Sequence, residues 1–274
     1  MTATILAAAI AAVAFADPGT GEAAPPEGIE ERARSHGLRH LLDTLEVLDT
    51  PVYSRNMLEL KYEWTLQAAG ATMGQLMLKP VFAWGEDREF ALRVEMPVET
   101  VYPATGAGPA TSGFASLTTT FFWAFYDWKG LRQSVGLELQ WNTASSPAVG
   151  APWIIEPIYG IGYHFTPWLA LTVELNWQKS FGNLGGYLPV NTIQLKPTLS
   201  AALPAWFFVS VQDKTSWSLQ DHDVGSLLKI TAGRFLTAAK TVVLAAEYET
   251  PLDPVAARGV VMMVGAFLAY FYSW

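Results

Sequence analysis

The sequence predicts an all-β protein, a transmembrane antiparallel β-barrel of about twelve strands with a short N-terminal periplasmic helix. Three observations carry that reading. The first is composition. The chain has 274 residues, 51% hydrophobic and only 15% charged, with 11 tryptophans. Soluble domains carry roughly 25% charged residues, so part of this surface faces something other than water. Yet no segment reads as a spanning helix. The charge-free stretch 100–126 is broken by Pro103, Pro109, several Gly and many Thr, and 259–274 is slightly short for a span. The second observation is a period-two alternation of apolar and polar residues. The third is that short links alternate with long ones along the chain. A barrel satisfies all three, because it spreads its apolar residues one in two along many strands.

The same numbers exclude other classes. Disorder needs few apolar residues and high charge. A disulfide scaffold needs cysteines, and there are none. A nucleic-acid binder needs a basic field, whereas the net charge is −8.

The elements follow in chain order. Residues 1–16 are an apolar run ending in Ala14-Phe15-Ala16, which reads as a signal peptide cut after Ala16. Residues 17–52 form an N-terminal periplasmic arm. Within it, Ile29, Ala33, Leu38, Leu41, Leu42, Leu45 and Leu48 recur near helical spacing over 27–48, with Glu27, Glu30 and Glu31 suited to a helix N-terminus. This helix reads first as a loosely tethered periplasmic helix; it could also plug the lumen, lie on the membrane surface or bind a partner. His36 and His40 share an i, i+4 spacing, but no third ligand accompanies them, so a solvated helix face is the reading and no metal is expected.

The barrel occupies residues 53–274. Strands are expected near 57–68, 74–84, 89–102, 114–127, 131–142, 153–164, 168–180, 190–203, 206–217, 226–235, 241–250 and 260–273. In the first, Leu58, Leu60, Tyr62, Trp64 and Leu66 oppose Glu59, Lys61, Glu63, Thr65 and Gln67. Alternate residues of a strand face opposite sides, so one face is apolar and the other ionic. The strands holding Arg93 and Glu95, Glu174 and Lys196 repeat the pattern. A one-residue slip would push three charges into lipid together, which pins the register.

Short links at 85–88, 128–130, 166–167, 204–205 and 236–240 alternate with longer ones at 103–112, 143–152, 181–189, 218–225 and 251–258. Short periplasmic turns and long outer loops are the habit of outer-membrane barrels. The short link 69–73 is an exception. This arrangement places both chain ends in the periplasm of a Gram-negative cell. The last strand ends in Tyr270, Tyr272 and Trp274 on one parity. It resembles the terminal strand of bacterial outer-membrane proteins, which serves recognition by the barrel-assembly machinery.

A family resemblance rests on a succession of strand motifs. These are Gln75-Leu76-Met77-Leu78-Lys79-Pro80, then Leu92-Arg93-Val94-Glu95-Met96-Pro97-Val98, then Ser112-Gly113-Phe114. Gly160-Ile161-Gly162-Tyr163 and Asn191-Thr192-Ile193-Gln194-Leu195-Lys196-Pro197 follow. Together they resemble the outer-membrane "transporter" family linked to the MetA pathway of phenol degradation, over about residues 56–274. Ser116 departs from the polar Gly-Asp step of that family's loop. The resemblance implies a barrel that passes apolar or aromatic small molecules.

The inward residues are the candidates for function: Glu59, Lys61, Glu63, Arg93, Glu95, Glu138, Glu174, Lys196, Lys229, Glu247 and Glu249, with Gln67, Gln140, Asn176, Gln178 and Gln194. Such a set can line an aqueous path and select by charge, or it can pair with itself and fill the interior. If a path exists, the acidic excess predicts a weak cation preference. The leading expectation is a non-enzymatic channel for passive uptake of small molecules. Its partners are membrane lipid, lipopolysaccharide, the assembly machinery through the Trp274 strand and a small solute, with no cofactor, metal or nucleic acid. Two other readings stand beside it. One is a hydrolase of the outer leaflet using Asp221-His222-Asp223. The other is a non-conducting scaffold. His164 with Thr166 faintly resembles the His-x-Ser of barrel phospholipases, but lacks the serine and sits beside a short turn.

Overall fold

Alternating sequences such as MLELKYEWTLQ form strands because each face then meets one solvent. In a computed structural model thirteen strands form among the described residues. They are β1 (Met57–Gln67), β2 (Thr72–Trp84), β3 (Phe90–Tyr102), β4 (Thr111–Phe114), β5 (Leu117–Trp128), β6 (Leu131–Trp141) and β7 (Ile154–Thr166). Then come β8 (Leu169–Ser180), β9 (Asn191–Ala202), β10 (Phe207–Ser218), β11 (Val224–Phe235), β12 (Val242–Pro251) and β13 (Val260–Phe271). The structure describes residues 55–272 apart from 68–69, 87, 105–107, 129–130, 183–186, 238–240 and 254–259. The expected signal peptide at 1–16, the helix at 27–48 with His36 and His40, and Trp274 lie outside the described residues.

Every neighbouring pair is antiparallel, and β13 returns to pair with β1, placing Met57 opposite Phe271 and Trp64 opposite Val264. The sheet therefore closes on itself and leaves no edge, which is what hydrocarbon demands of strands. Strands β4 and β5 are two pieces of one crossing, so the wall has twelve crossings.

The break in that crossing corrects the expected single strand over 114–127. Glu95 pairs with Thr118, whereas Val98 pairs with Phe114. Three steps on β3 thus face four on its partner, which is a bulge at Ala115-Ser116. The extra residue inverts the alternation. Phe114 and Phe121 both face outward although their parities differ. The backbone is satisfied locally: Ala115 donates to the Pro97 carbonyl at 2.9 Å, and Ser116 Oγ accepts from Ala151 N at 3.0 Å.

Outward positions carry the belt. Leu58, Leu60, Leu76, Leu78, Leu137, Leu175, Leu244 and Leu268 are all exposed. Aromatic side chains rim both ends, as suits rings with an apolar body and a polar edge. At the short-turn end Trp84, Phe90, Phe121 and Trp123 pack ring on ring at 6.0–6.3 Å. At the other end Trp141 meets Trp153 at 5.3 Å, and Trp153 meets Phe181 at 5.9 Å. Asp213 departs from the pattern. It lies on the outward parity of β10, where Ser226 Oγ donates to it at 2.5 Å and Thr215 Oγ1 at 3.4 Å.

The links keep the expected alternation with one change. Strand β11 starts at Val224, so the link after β10 is only 219–223. Its shortness comes from a tight turn: Ser218 Oγ donates to Asp221 Oδ2 at 3.0 Å, and His222 takes a left-handed φ of 57°. Short turns at the opposite end include 203–206, where Ala205 and Trp206 both have positive φ.

Candidate functional site: the barrel lumen

Inward side chains divide the lumen into three levels. At the short-turn end the level is apolar. Met57, Val81, Ala91, Phe122, Phe208, Phe235, Phe267 and Phe271 are buried and form one cluster with smaller alanines and valines. Phe208 and Phe235 stand 6.1 Å apart. Gly136 lets the Phe122 ring lie against the β6 backbone, since a Cβ there would meet Phe122 Cδ1 at 2.6 Å. The Arg93 guanidinium sits 5.2 Å above the same ring and joins this level to the next.

The middle level is ionic and has two walls. One wall spans β3 and β5 to β9. Arg93 binds Glu138 at 3.0 Å and makes a bent charge contact with Glu95 at 3.2 Å. Thr120 Oγ1 donates to Glu138 at 2.8 Å. Lys196 reaches Glu174 at 2.8 Å and lies 4.0 Å from Glu156. Asn176 donates to Glu156 at 2.5 Å and to Glu174 at 2.7 Å, and Gln178 donates to Glu156 at 2.7 Å. Register explains these contacts. Glu174 lies directly across from Lys196, and Thr120 across from Glu138. Directly opposed side chains are the nearest neighbours a sheet offers. Glu138 and Glu156 also oppose each other. Their like charges are offset by Arg93, Lys196 and the two amides.

The other wall spans β1, β2 and β10 to β13. Lys79 binds Glu59 at 2.8 Å across the β1–β2 ladder. Lys61 bridges Glu63 at 2.7 Å and Glu247 at 2.5 Å, and Lys229 binds Glu247 at 2.9 Å. This wall borders a cavity of about 310 Å³, which also reaches Lys196, Gln212, Lys214, Glu249, Met263 and Phe267.

The outer level is narrowed by the link between β6 and β7. Ser146 caps a short 3₁₀ turn, Pro147–Val149, and Ser145 N donates to Phe114 O at 2.9 Å. Gly113 pairs with Glu99, so its face is the inward one. A Cβ on Gly113 would meet Ser145 Oγ at 2.1 Å and Val149 Cγ2 at 3.4 Å. This link therefore folds over the inner side of the mouth. Tyr187, from the link after β8, packs against Gly150.

All ten of the leading sequence candidates, from Glu59 to Glu247, lie on the inward parity and enter this ionic level. Glu249 is also inward but makes no ion pair among the described residues. Lys79, Glu156 and Lys214 escaped the sequence reading. The inward parity of β2 (Gln75, Met77, Lys79) was a usable signal for the first. Glu156 and Lys214 stand beside Pro157 and Asp213, which blur the alternation. Asp221, His222 and Asp223 are exposed and form the turn described above. His164 lies at the short-turn end of β7, where Thr166 Oγ1 accepts from Trp168 N at 3.3 Å. No cluster of three or more metal-ligating side chains occurs among the described residues.

A closed antiparallel wall with an apolar belt, aromatic rims and a polar interior defines the class: a transmembrane β-barrel of the outer-membrane type. The first and last strands both meet the short-turn, periplasmic end. Solved structures sharpen the class. The chain is similar to an outer membrane channel from Pseudomonas putida, with a TM-score of 0.65 and 13% identity over 80% of this chain and 96% of that one. It is also similar to the NanC porin, with a TM-score of 0.56 and 10% identity over 79% and 100%. For the KdgM porin the values are 0.55 and 8% over 78% and 99%. At such identities the likeness is one of fold, the fold of outer-membrane channels and porins. No protein-family model and no curated protein sequence matches the chain.

Proposed function

We propose that the barrel is a passive outer-membrane channel for small molecules with an apolar or aromatic body. The observation that carries this reading is the layered lumen. A charge-lined middle with a cavity stands directly above a layer of inward phenylalanines. A small barrel that only filled its interior would have no reason to separate the two chemistries. A solute with a polar end and an apolar body has a partner at each level. The resemblance of the strand motifs to those of the MetA-linked transporter family favours the same substrate class.

In this reading Glu59, Lys61, Glu63, Arg93, Glu95, Glu138, Glu174, Lys196, Lys229 and Glu247 line the path. Passage is diffusive, and selectivity is set by constriction width and inward charge. Inward carboxylates outnumber inward cations among the described residues, so the expected ion preference is weakly cationic. Residues 17–52 are the periplasmic arm, and the Trp274 strand is the element offered to the assembly machinery. Lipopolysaccharide surrounds the outer rim.

The test is single-channel conductance of the refolded mature chain in a planar bilayer, with and without residues 17–52. Steady conductance in the full chain supports the channel. Conductance only after truncation supports a channel that the arm closes. Silence in both, with folding shown by a gel-mobility shift on heating, overturns a water-filled path.

A further inference from the structure

The cavity beside the wall over β1, β2 and β10 to β13 carries two ionic groups of opposite charge that make no close bond of their own. Its other charged side chains are each bound to a partner: Lys79 to Glu59, Lys61 to Glu63 and Glu247, Lys229 to Glu247, and Lys196 to Glu174. Lys214 and Glu249 make neither an ion pair nor a hydrogen bond among the described residues, although both line the cavity. They have opposite charge and stand two strands apart, on β10 and β12. Lys214 lies across from Leu227 and Glu249 across from Lys229. Leu227 pairs onward with Pro251, so on the β11 side the row of Lys214 runs into apolar neighbours. The same cavity is lined by Met263, directly across from Glu249, and by Phe267, nearer the short-turn end.

Holding two unpartnered charges in a half-enclosed site is unfavourable unless something supplies their counterparts. A lone anion would satisfy Lys214 and face Glu249 with repulsion. A lone cation would do the reverse. A zwitterion satisfies both and leaves the net charge of the lumen unchanged. The cavity volume of about 310 Å³ falls at the small end of the range for small-molecule sites. Charge-assisted hydrogen bonds at both ends would also fix its orientation.

We propose that this cavity binds a small zwitterionic solute of the α-amino-acid type, with its carboxylate on Lys214, its ammonium on Glu249 and an apolar side group against Met263 and Phe267. The proposal rests on the channel reading above and names the substrate class of that channel.

The experiment compares phenylalanine with its two half-charged analogues, 3-phenylpropionate and 2-phenylethylamine. Binding to the detergent-solubilised full chain is measured by titration calorimetry, with conductance recorded on the same preparation. Lys214→Gln and Glu249→Gln are the variants. Neither removes a bond from the protein's own network, so both keep the fold, and the heat-dependent gel shift checks this. Phenylalanine is expected to bind about tenfold or more tighter than either analogue. Lys214→Gln should weaken phenylalanine and 3-phenylpropionate about tenfold and leave 2-phenylethylamine unchanged, and Glu249→Gln should do the mirror image.

Equal binding of phenylalanine and 3-phenylpropionate would overturn the proposal in favour of an anion site. Equal binding of phenylalanine and 2-phenylethylamine would overturn it in favour of a cation site. Phenylalanine binding that neither substitution weakens would overturn the assigned position. Steady conductance with no binding of any probe would overturn the proposal and leave the channel standing. Silence together with no binding would overturn both.

Discussion

The two ionic walls of the lumen use similar residues to different ends. The wall over β3 and β5 to β9 is the more densely hydrogen-bonded. Its carboxylates Glu138, Glu156 and Glu174 each accept from Thr120, Asn176 or Gln178 as well as lying by Arg93 or Lys196. The wall over β1, β2 and β10 to β13 is built from ion pairs that border open space. Charges that are both paired and hydrogen-bonded hold a shape. Charges that border a cavity are available to a solute. The difference separates what stabilises the barrel from what the barrel can recognise, although composition alone makes the walls look alike.

Removing the hub of the wired wall should produce the largest effect. Arg93→Leu leaves Glu95 and Glu138 without their cation and should cost about 3–5 kcal/mol, the range for breaking a buried pair from one side. The urea midpoint of unfolding in lipid would report it. A loss below 1 kcal/mol would mean that this wall is not a structural network. On the open wall Lys61→Met also strands two carboxylates, but Glu63 borders the cavity, and Lys229 still holds Glu247. We expect a loss of about 1–3 kcal/mol by the same assay. Equality of the two losses would erase the contrast.

Gly113→Leu tests the mouth that both walls share. Its side chain would enter the space of Ser145 and Val149, so overpacking should cost about 1–3 kcal/mol. It should also displace the link after β6 and raise single-channel conductance. The smallest effect on stability belongs to Lys214→Gln. With no protein partner to lose, it should shift unfolding by less than about 0.5 kcal/mol. Deleting one inward positive charge should nonetheless move the reversal potential in a salt gradient toward greater cation preference. An unchanged reversal potential would separate Lys214 from the ion path.

Much of the fold was legible because alternation is a local code. The first strand was expected at 57–68 and found at Met57–Gln67, and the eighth repeat at 190–203 was found at Asn191–Ala202. The bulge at Ala115-Ser116 was not legible. It exists only as a mismatch in step count between β3 and its partner, and Thr118 to Ala124 alternate normally on their own. Asp213 and Pro157 hid Lys214 and Glu156 for a related reason, since each is a local exception whose cost is settled by a neighbouring strand. The β11 start at Val224 rather than 226 follows from a turn that Ser218 and Asp221 close.

The sequence by itself determined that this chain folds as a closed wall with one apolar face, and which residues face inward on its regular strands. Period and face are properties of a single strand in two solvents. Only the tertiary structure decided which charge meets which. Glu59 finds Lys79 and Glu174 finds Lys196 through ladder register, while Lys214 meets Leu227 across its ladder and Glu249 faces a Lys229 that binds Glu247 instead. Pairing depends on the alignment of strands distant in sequence, and that alignment is fixed only when the barrel closes.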